Sequence, residues 1–254
     1  MKSKPRLLIV DGDAFVYTIG NRVMRPVHLD DGNVYSVFSK ADIAGDIDQV
    51  FGDLFEELKT RDCLVMLSDP APKNCWRRAI FPEYKMNRKP GTRPMAYQSV
   101  RDYLCDKFNC IYDDNMEADD LCGVYATGDL THEPVVVSSD KDLLTVPGFI
   151  YNPTKKTLDF LTEDQADLNH MTQTLVGDKV DNFPGLPGTG PKTAAKILNG
   201  ATTLKEAWPL VVAAYEADGL TSKDALIQAR LAGILRAKNY NIKTRAIRYW
   251  EPPK

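Results

Sequence analysis

Little in this sequence favours disulfides, a membrane or a zinc site. The five cysteines (Cys63, Cys75, Cys105, Cys110 and Cys122) are odd in number and no two have C-x-x-C spacing. A disulfide framework is therefore excluded in favour of small buried thiols in a reducing compartment. Only three histidines occur, His28, His132 and His170, none inside a recognisable motif. The apolar run nearest the N-terminus, LLIV before Asp11, is too short for a signal peptide or a membrane span. No repeat and no low-complexity segment interrupts the chain. The expectation is a cytoplasmic protein with no membrane partner.

Charge is also missing in bulk, at a net −3 over 254 residues, but its distribution is uneven. Lys73, Arg77, Arg78, Lys85, Arg88, Lys89 and Arg93 surround a single acid, Glu83, whereas Asp113 to Asp120 carries five acids and no base. A local split of this kind says more about partners than the sum does.

What is present is a set of short apolar runs separated by helical periodicity. RLLIV (6–10), CLVML (63–67) and PVVV (134–137), with weaker CIY (110–112) and FIY (149–151), read as buried strands. Residues 42–59 place Ile43, Ile47, Val50, Phe51, Leu54, Phe55 and Leu58 at helical spacing. Alternation of this kind predicts an α/β fold with a mostly parallel central sheet flanked by helices. Beyond about residue 162 the strand signals stop, and 204–217 and 223–237 read as helices. The expected division is an α/β core over 1–162 and a helical region over 163–254.

Three strands run into acids: Asp11 and Asp13 after LLIV, Asp69 after LVML, and Asp140 and Asp142 after VVV. Ligands of open α/β sheets gather at the carboxyl ends of strands, so these acids are predicted to converge. MEADDLCG adds Glu117, Asp119 and Asp120, and GDKVD adds Asp178 and Asp181, which makes nine carboxylates besides Asp13. Glu117 and Asp120 share a helix face at i, i+3, with Asp119 off it. Each acid alone is as easily a turn or helix cap. Together they would repel one another unless cations intervene, and oxygen ligands without His or Cys suit Mg²⁺ or Mn²⁺. Two such ions form a clamp suited to phosphodiester displacement.

The basic stretch supplies a counter-charge. Lys85 and Arg88 are candidates to hold a scissile phosphate, and Trp76, Phe81 and Tyr84 could stack on unpaired bases. GLPGTGPKT nearly spells a nucleotide-binding P-loop, but Pro191 intrudes before Lys192 and no strand precedes it. A hairpin between two helices fits better, its amides gripping a DNA phosphate. One rival reading takes IVDGDAF as the D-x-D start of a haloacid-dehalogenase-type phosphatase, although Phe15 stands where that family has Thr or Val. Others are a non-catalytic DNA-junction binding protein and a related ribonuclease fold without the hairpin.

In order along the chain, IVDGDA, Asp69, W-R-x6-Y-K-x-x-R (Trp76 to Arg88), EADD, SSDKDLL and GDKVDNFPGLPGTGPKTA resemble the structure-specific 5′ nucleases. That family comprises flap endonucleases, the 5′ nuclease domains of DNA polymerase I and phage 5′ exonucleases. The closing stretch ARLAGILRAKNYNIKTRAIRYW is similar to the tail of replication exonucleases from short-tailed phages. The resemblance implies a monomeric two-metal 5′→3′ exonuclease with flap-type endonuclease activity. It would act on duplex DNA with 5′ ends, nicks or flaps, and on RNA–DNA hybrids, during phage replication in a bacterial cytoplasm. It implies that Asp11, Asp69, Glu117 and Asp119, with Asp120 close by, hold the first Mg²⁺ or Mn²⁺. Asp140, Asp142, Asp178 and Asp181 hold the second. Lys85 and Arg88 become the catalytic pair at the base of a helical arch near 80–108, with Arg77 and Tyr84 contacting DNA. Gly188, Gly190, Lys192 and Thr193 become part of a helix-hairpin-helix that grips the duplex with a K⁺ ion. Asp13 stands where many members carry Asn, Thr or Ser.

Overall fold

The computed structural model describes residues 4–69, 75–88, 93–128 and 131–253. Lys73, Lys89 and Pro90 of the basic stretch lie outside them. The principal strands are β1 (Arg6–Asp11), β2 (Arg25–His28), β3 (Val34–Val37), β4 (Cys63–Ser68), β5 (Asn109–Asp113), β6 (Glu133–Val137), β7 (Gly148–Asn152) and β8 (Thr157–Leu161). The helices are α1 (Gly12–Arg22), α2 (Lys40–Leu58), α3 (Trp76–Ile80), α4 (Tyr97–Lys107), α5 (Ala118–Gly128), α6 (Glu163–Val176), α7 (Pro191–Ile197), α8 (Leu204–Ala217) and α9 (Ser222–Ala232). A one-turn 3₁₀ helix spans Lys141–Thr145. No described helix is long and apolar enough to cross a membrane.

The main sheet has the order β5-β4-β1-β6-β7-β8. All pairings are parallel except β7 with β8. β1 is the central strand, and its apolar run is continuous because both faces are covered. Leu8 and Val10 enter a core with α1, α2 and α4, while Ile9 enters one with α5 and Val146. From β1 the chain passes to β4 on one side and later to β6 on the other. The order thus reverses at β1, and the crevice at such a switch point opens at the carboxyl ends of the strands. Asp11, Asp69 and Asp140 stand at those ends.

The sequence reading needs three adjustments. First, β2 and β3 form a hairpin whose residues are all exposed. Its four-residue strands are too short to show a clear period. Second, α9 stops at Ala232, not near 237, because Gly233 turns extended. Third, 97–107 is not part of a free arch. Val100 and Leu104 of α4 are fully buried in the α1–α2 core. Ala96 belongs to the same core and Tyr84 is also buried, and 89–92 lie outside the described residues.

The last third packs around its own core of Met171, Leu175, Val211 and Tyr215, yet it does not stand apart. Leu235 joins the sheet-side core. Gly123 of α5 permits this, since a Cβ there would lie 2.2 Å from the Leu235 carbonyl oxygen. Next to this junction His170 is buried, with Nε2 2.7 Å from the Ala229 carbonyl oxygen. Burial, aided by nearby Arg236, lowers its pKa to about 4. The unfolded chain therefore binds a proton between pH 6.5 and 4 that the native state refuses. Stability is fully present above pH 6.5 and falls by about 3 kcal/mol as pH drops through that window. His170→Gln is expected to flatten the slope of urea-unfolding free energy against pH between 6.5 and 4. An unchanged slope would show that another group carries it.

Candidate active site

Three carboxylates from different elements face one another at the sheet's carboxyl edge. Asp11 ends β1, where its oxygens accept from Ala14 N–H at 3.3 Å and from the Ser138 hydroxyl at 2.7 Å. It is 4% exposed. Burial raises its pKa to about 6, against the Ser138 hydrogen bond and with help from Asp13 and Asp140. Asp119, in the first turn of α5, is raised well above the usual carboxylate range by burial, then by Asp11 and Asp140. Asp140 accepts from Asp142 N–H at 2.9 Å and caps the 3₁₀ turn.

A second group lies alongside. Burial and Asp140 push Asp142 up to about 6, with Asp178 and Asp181 adding to it and Lys141 opposing. Its Oδ1 is buried with no hydrogen-bond partner. Asp178 accepts from Lys141 Nζ at 2.8 Å and from Val180 N–H at 2.7 Å. These bonds overcome its burial and lower its pKa.

Between the groups stands a basic turn. Lys85 has a left-handed backbone (φ 56°), and its amide donates to the Asp181 carbonyl at 2.9 Å. Its Nζ pairs with Glu117 Oε1 and lies 3.2 Å from Asp181 Oδ2. Burial works against this ammonium, but Glu117 and Asp181 hold it above its ordinary value. Conversely, burial would raise Glu117, yet Lys85 and Arg77 bring it down to about 2. The Tyr84 hydroxyl is 2.9 Å from both Glu117 Oε2 and Asp181 Oδ2 and has one proton to give. Arg88 reaches Asp181 Oδ1 at 2.8 Å.

Seven of the nine predicted carboxylates are thus placed relative to a neighbour at this edge. Asp69 directly follows β4 there. Among the described residues no three acidic, His or Cys side chains form a ready-made metal cage, so the predicted cluster is looser than nine converging ligands. One member is set apart by its hydrogen bonds. Asp120 is 0% exposed and accepts from Arg77 twice, from Trp76 Nε1 and from Leu235 N–H. Four bonds fill the acceptor capacity of a carboxylate and tie it to the core. Arg77 and Tyr84, expected at DNA, are 2% and 3% exposed and are spent on Asp120, Glu117 and Asp181. Trp76, expected to stack on bases, is 5% exposed and stacks on Tyr249.

Sequence reasoning missed Ser138 and Lys141, which hold Asp11 and Asp178. A hydroxyl and an amine inside SSDKDLL were the available signal. Asp13 accepts from Ser68 N–H at 3.2 Å and so ties α1 to the end of β4.

The glycine turn joins α6 to α7. Gly177 and Gly185 (φ +69° and +64°) pack backbone to backbone, and a Cβ on either would meet the other's amide nitrogen at 2.4 Å. These two glycines therefore serve packing. Gly188 and Gly190 have open space before them, and Lys192 and Thr193 are exposed.

The family profile described as 5′-3′ exonuclease, N-terminal resolvase-like domain, matches residues 6–172. An exonuclease of Escherichia phage T7 is 26% identical, across 97% of this chain and 93% of its own length. A flap endonuclease Xni of Shewanella pealeana is 28% identical, across 76% of this chain and 75% of its own. The solved T5 5′-exonuclease with divalent zinc ions bound shares the fold, with a TM-score of 0.64 at 19% identity over 89% of each chain.

Proposed function

The chain belongs to the 5′-3′ exonuclease family, and from that premise we propose that it is a divalent-metal-dependent 5′→3′ exonuclease with flap-type endonuclease activity on duplex DNA, serving phage replication in the host cytoplasm. The observation that carries this reading is the line of carboxylates at the switch point, interleaved with Lys85 and Arg88. Asp11 is buried and Asp119 and Asp142 are partly buried; Asp140 repels all three, Asp11 also repels Asp119, and Asp142 Oδ1 makes no hydrogen bond. Such an all-oxygen donor set fits Mg²⁺ or Mn²⁺. Asp11, Asp69, Glu117 and Asp119 would hold one ion, and Asp140, Asp142, Asp178 and Asp181 the other. When bound, the pair supplies an activated water and screens charge on the reacting phosphate.

The remaining work falls to the chain. Lys85, with its amide on the Asp181 carbonyl and its Nζ beside the Glu117 and Asp181 carboxylates, is the donor for phosphate oxygens as charge develops. Arg88, half-exposed beside it, orients the same group. Gly188, Gly190, Lys192 and Thr193 present an open backbone and a cation to the duplex backbone, in a hairpin that a K⁺ ion would complete. Contacts to backbone carry no sequence preference, and RNA in RNA–DNA hybrids is the proposed second substrate.

The test is a set of matched 5′-flap, nicked and blunt duplexes incubated with Mg²⁺ or with EDTA. Short 5′-phosphorylated products in Mg²⁺ alone, and release of intact flaps, are expected. Duplex binding without products under either condition would make the chain a DNA-junction binding protein.

A further inference from the structure

The most completely bonded side chain at this junction belongs to neither proposed ion set. Arg77 spends all five of its N–H donors. Nε donates to the Leu231 carbonyl at 3.1 Å, and one terminal nitrogen to Glu117 Oε2 at 3.0 Å and Asp120 Oδ2 at 2.7 Å. The other terminal nitrogen donates to Asp120 Oδ1 and the Gly233 carbonyl, both at 2.9 Å. Two of the acceptors are backbone carbonyls at the end of α9, where a cation is favoured. Farther up α9, the Gln228 side-chain oxygen accepts from Gly185 N–H at 2.9 Å, and Gln228 is 7% exposed. An unbroken bonded path therefore runs from the glycine hairpin through Gln228 and α9 to Arg77, then to Glu117 and Lys85.

We propose that Arg77 is a positioning residue, by which α9 and the glycine hairpin set the orientation of Glu117, and through it the place of Lys85. This rests on the nuclease reading above. A guanidinium with every donor committed has a single geometry, so it fixes Glu117 in a way a point charge cannot. Outer partners of this kind typically change ion affinity or turnover by about 10–100-fold.

The test compares Arg77→Lys with Arg236→Lys. Arg236 is a second buried arginine, held by the Thr145 carbonyl, Asp167 and Glu163 and not by Glu117, so its loss reports stability alone. At a temperature well below both unfolding midpoints, Arg77→Lys is expected to lower kcat about tenfold or more. KM for duplex should stay within about twofold, and Mn²⁺ affinity measured calorimetrically without DNA should weaken. Arg236→Lys should change neither. If Arg77→Lys does not fold, Asp120→Asn, which loosens the fork, should give the same split. Arg77→Lys behaving like Arg236→Lys, or losing only duplex affinity, overturns the proposal. A crystal structure of the variant decides it independently of activity, because Glu117 should have turned from its present position. Wild-type protein without cleavage would sink the nuclease reading, whereas an unmoved Glu117 would sink this one.

Discussion

Lys85→Ala is expected to slow single-turnover cleavage by on the order of 10²-fold or more, the scale seen when one donor to a developing oxyanion is removed. The expectation follows from how completely the fold commits this side chain. Lys85 is 12% exposed on its side chain, its left-handed backbone is held by the Asp181 carbonyl, and Asn87 and Asn182 fasten the same turn to residues 179 and 83. An ammonium held in that manner loses little orientational freedom before it meets phosphate. Alanine also removes a charge from between Glu117 and Asp181, leaving Arg77 on the first, Arg88 on the second and one Tyr84 proton between them. The variant should therefore unfold at a lower temperature, and rates belong well below that point with saturating duplex and Mg²⁺. Wild-type turnover under those conditions would reduce Lys85 to a structural counter-ion.

The features legible in the sequence were those with local causes. Strands β1, β4 and β6 announce themselves because burial on both faces leaves no room for polar alternation, and the acids following them mark the carboxyl edge. α2 is legible from its spacing. Arg77 and Asp120 were not. At i, i+3 from Glu117, Asp120 is indistinguishable by sequence from Glu117, and what sets it apart is contact with Trp76 and Leu235, which are 44 and 115 positions away. Gly185 was read as part of an anion-friendly turn, and only the approach of Gly177 shows that packing demands it. The tail was opaque for the same reason. Tyr249 on Trp76 and Trp250 against Trp208 and His170 are long-range packings with no periodic trace.

Asp142→Asn separates activity from stability most sharply, because its two effects have opposite signs. Cleavage should be abolished or greatly slowed, since the variant loses a charged oxygen from the second proposed ion set, while duplex binding through the hairpin persists. Stability without divalent ions should rise. Burial and the fields of Asp140, Asp178 and Asp181 raise the native pKa of Asp142 to about 6 from an ordinary 3.8. Between those values the folded chain holds a proton that the unfolded chain has lost, so stability declines as pH increases through the window. Above pH 6 the full penalty stands, about 3 kcal/mol at most. Asparagine keeps the shape and removes that charge. The gain in thermal midpoint over wild type should be largest near pH 8 and shrink steadily as pH is lowered toward 4, where wild-type Asp142 is itself neutral. Added Mg²⁺ should narrow the difference at pH 8, because it stabilises the wild type more than the variant. An equal midpoint at every pH would mean that Asp142 feels no repulsion from its neighbours, and unaltered cleavage would take it out of the ion set.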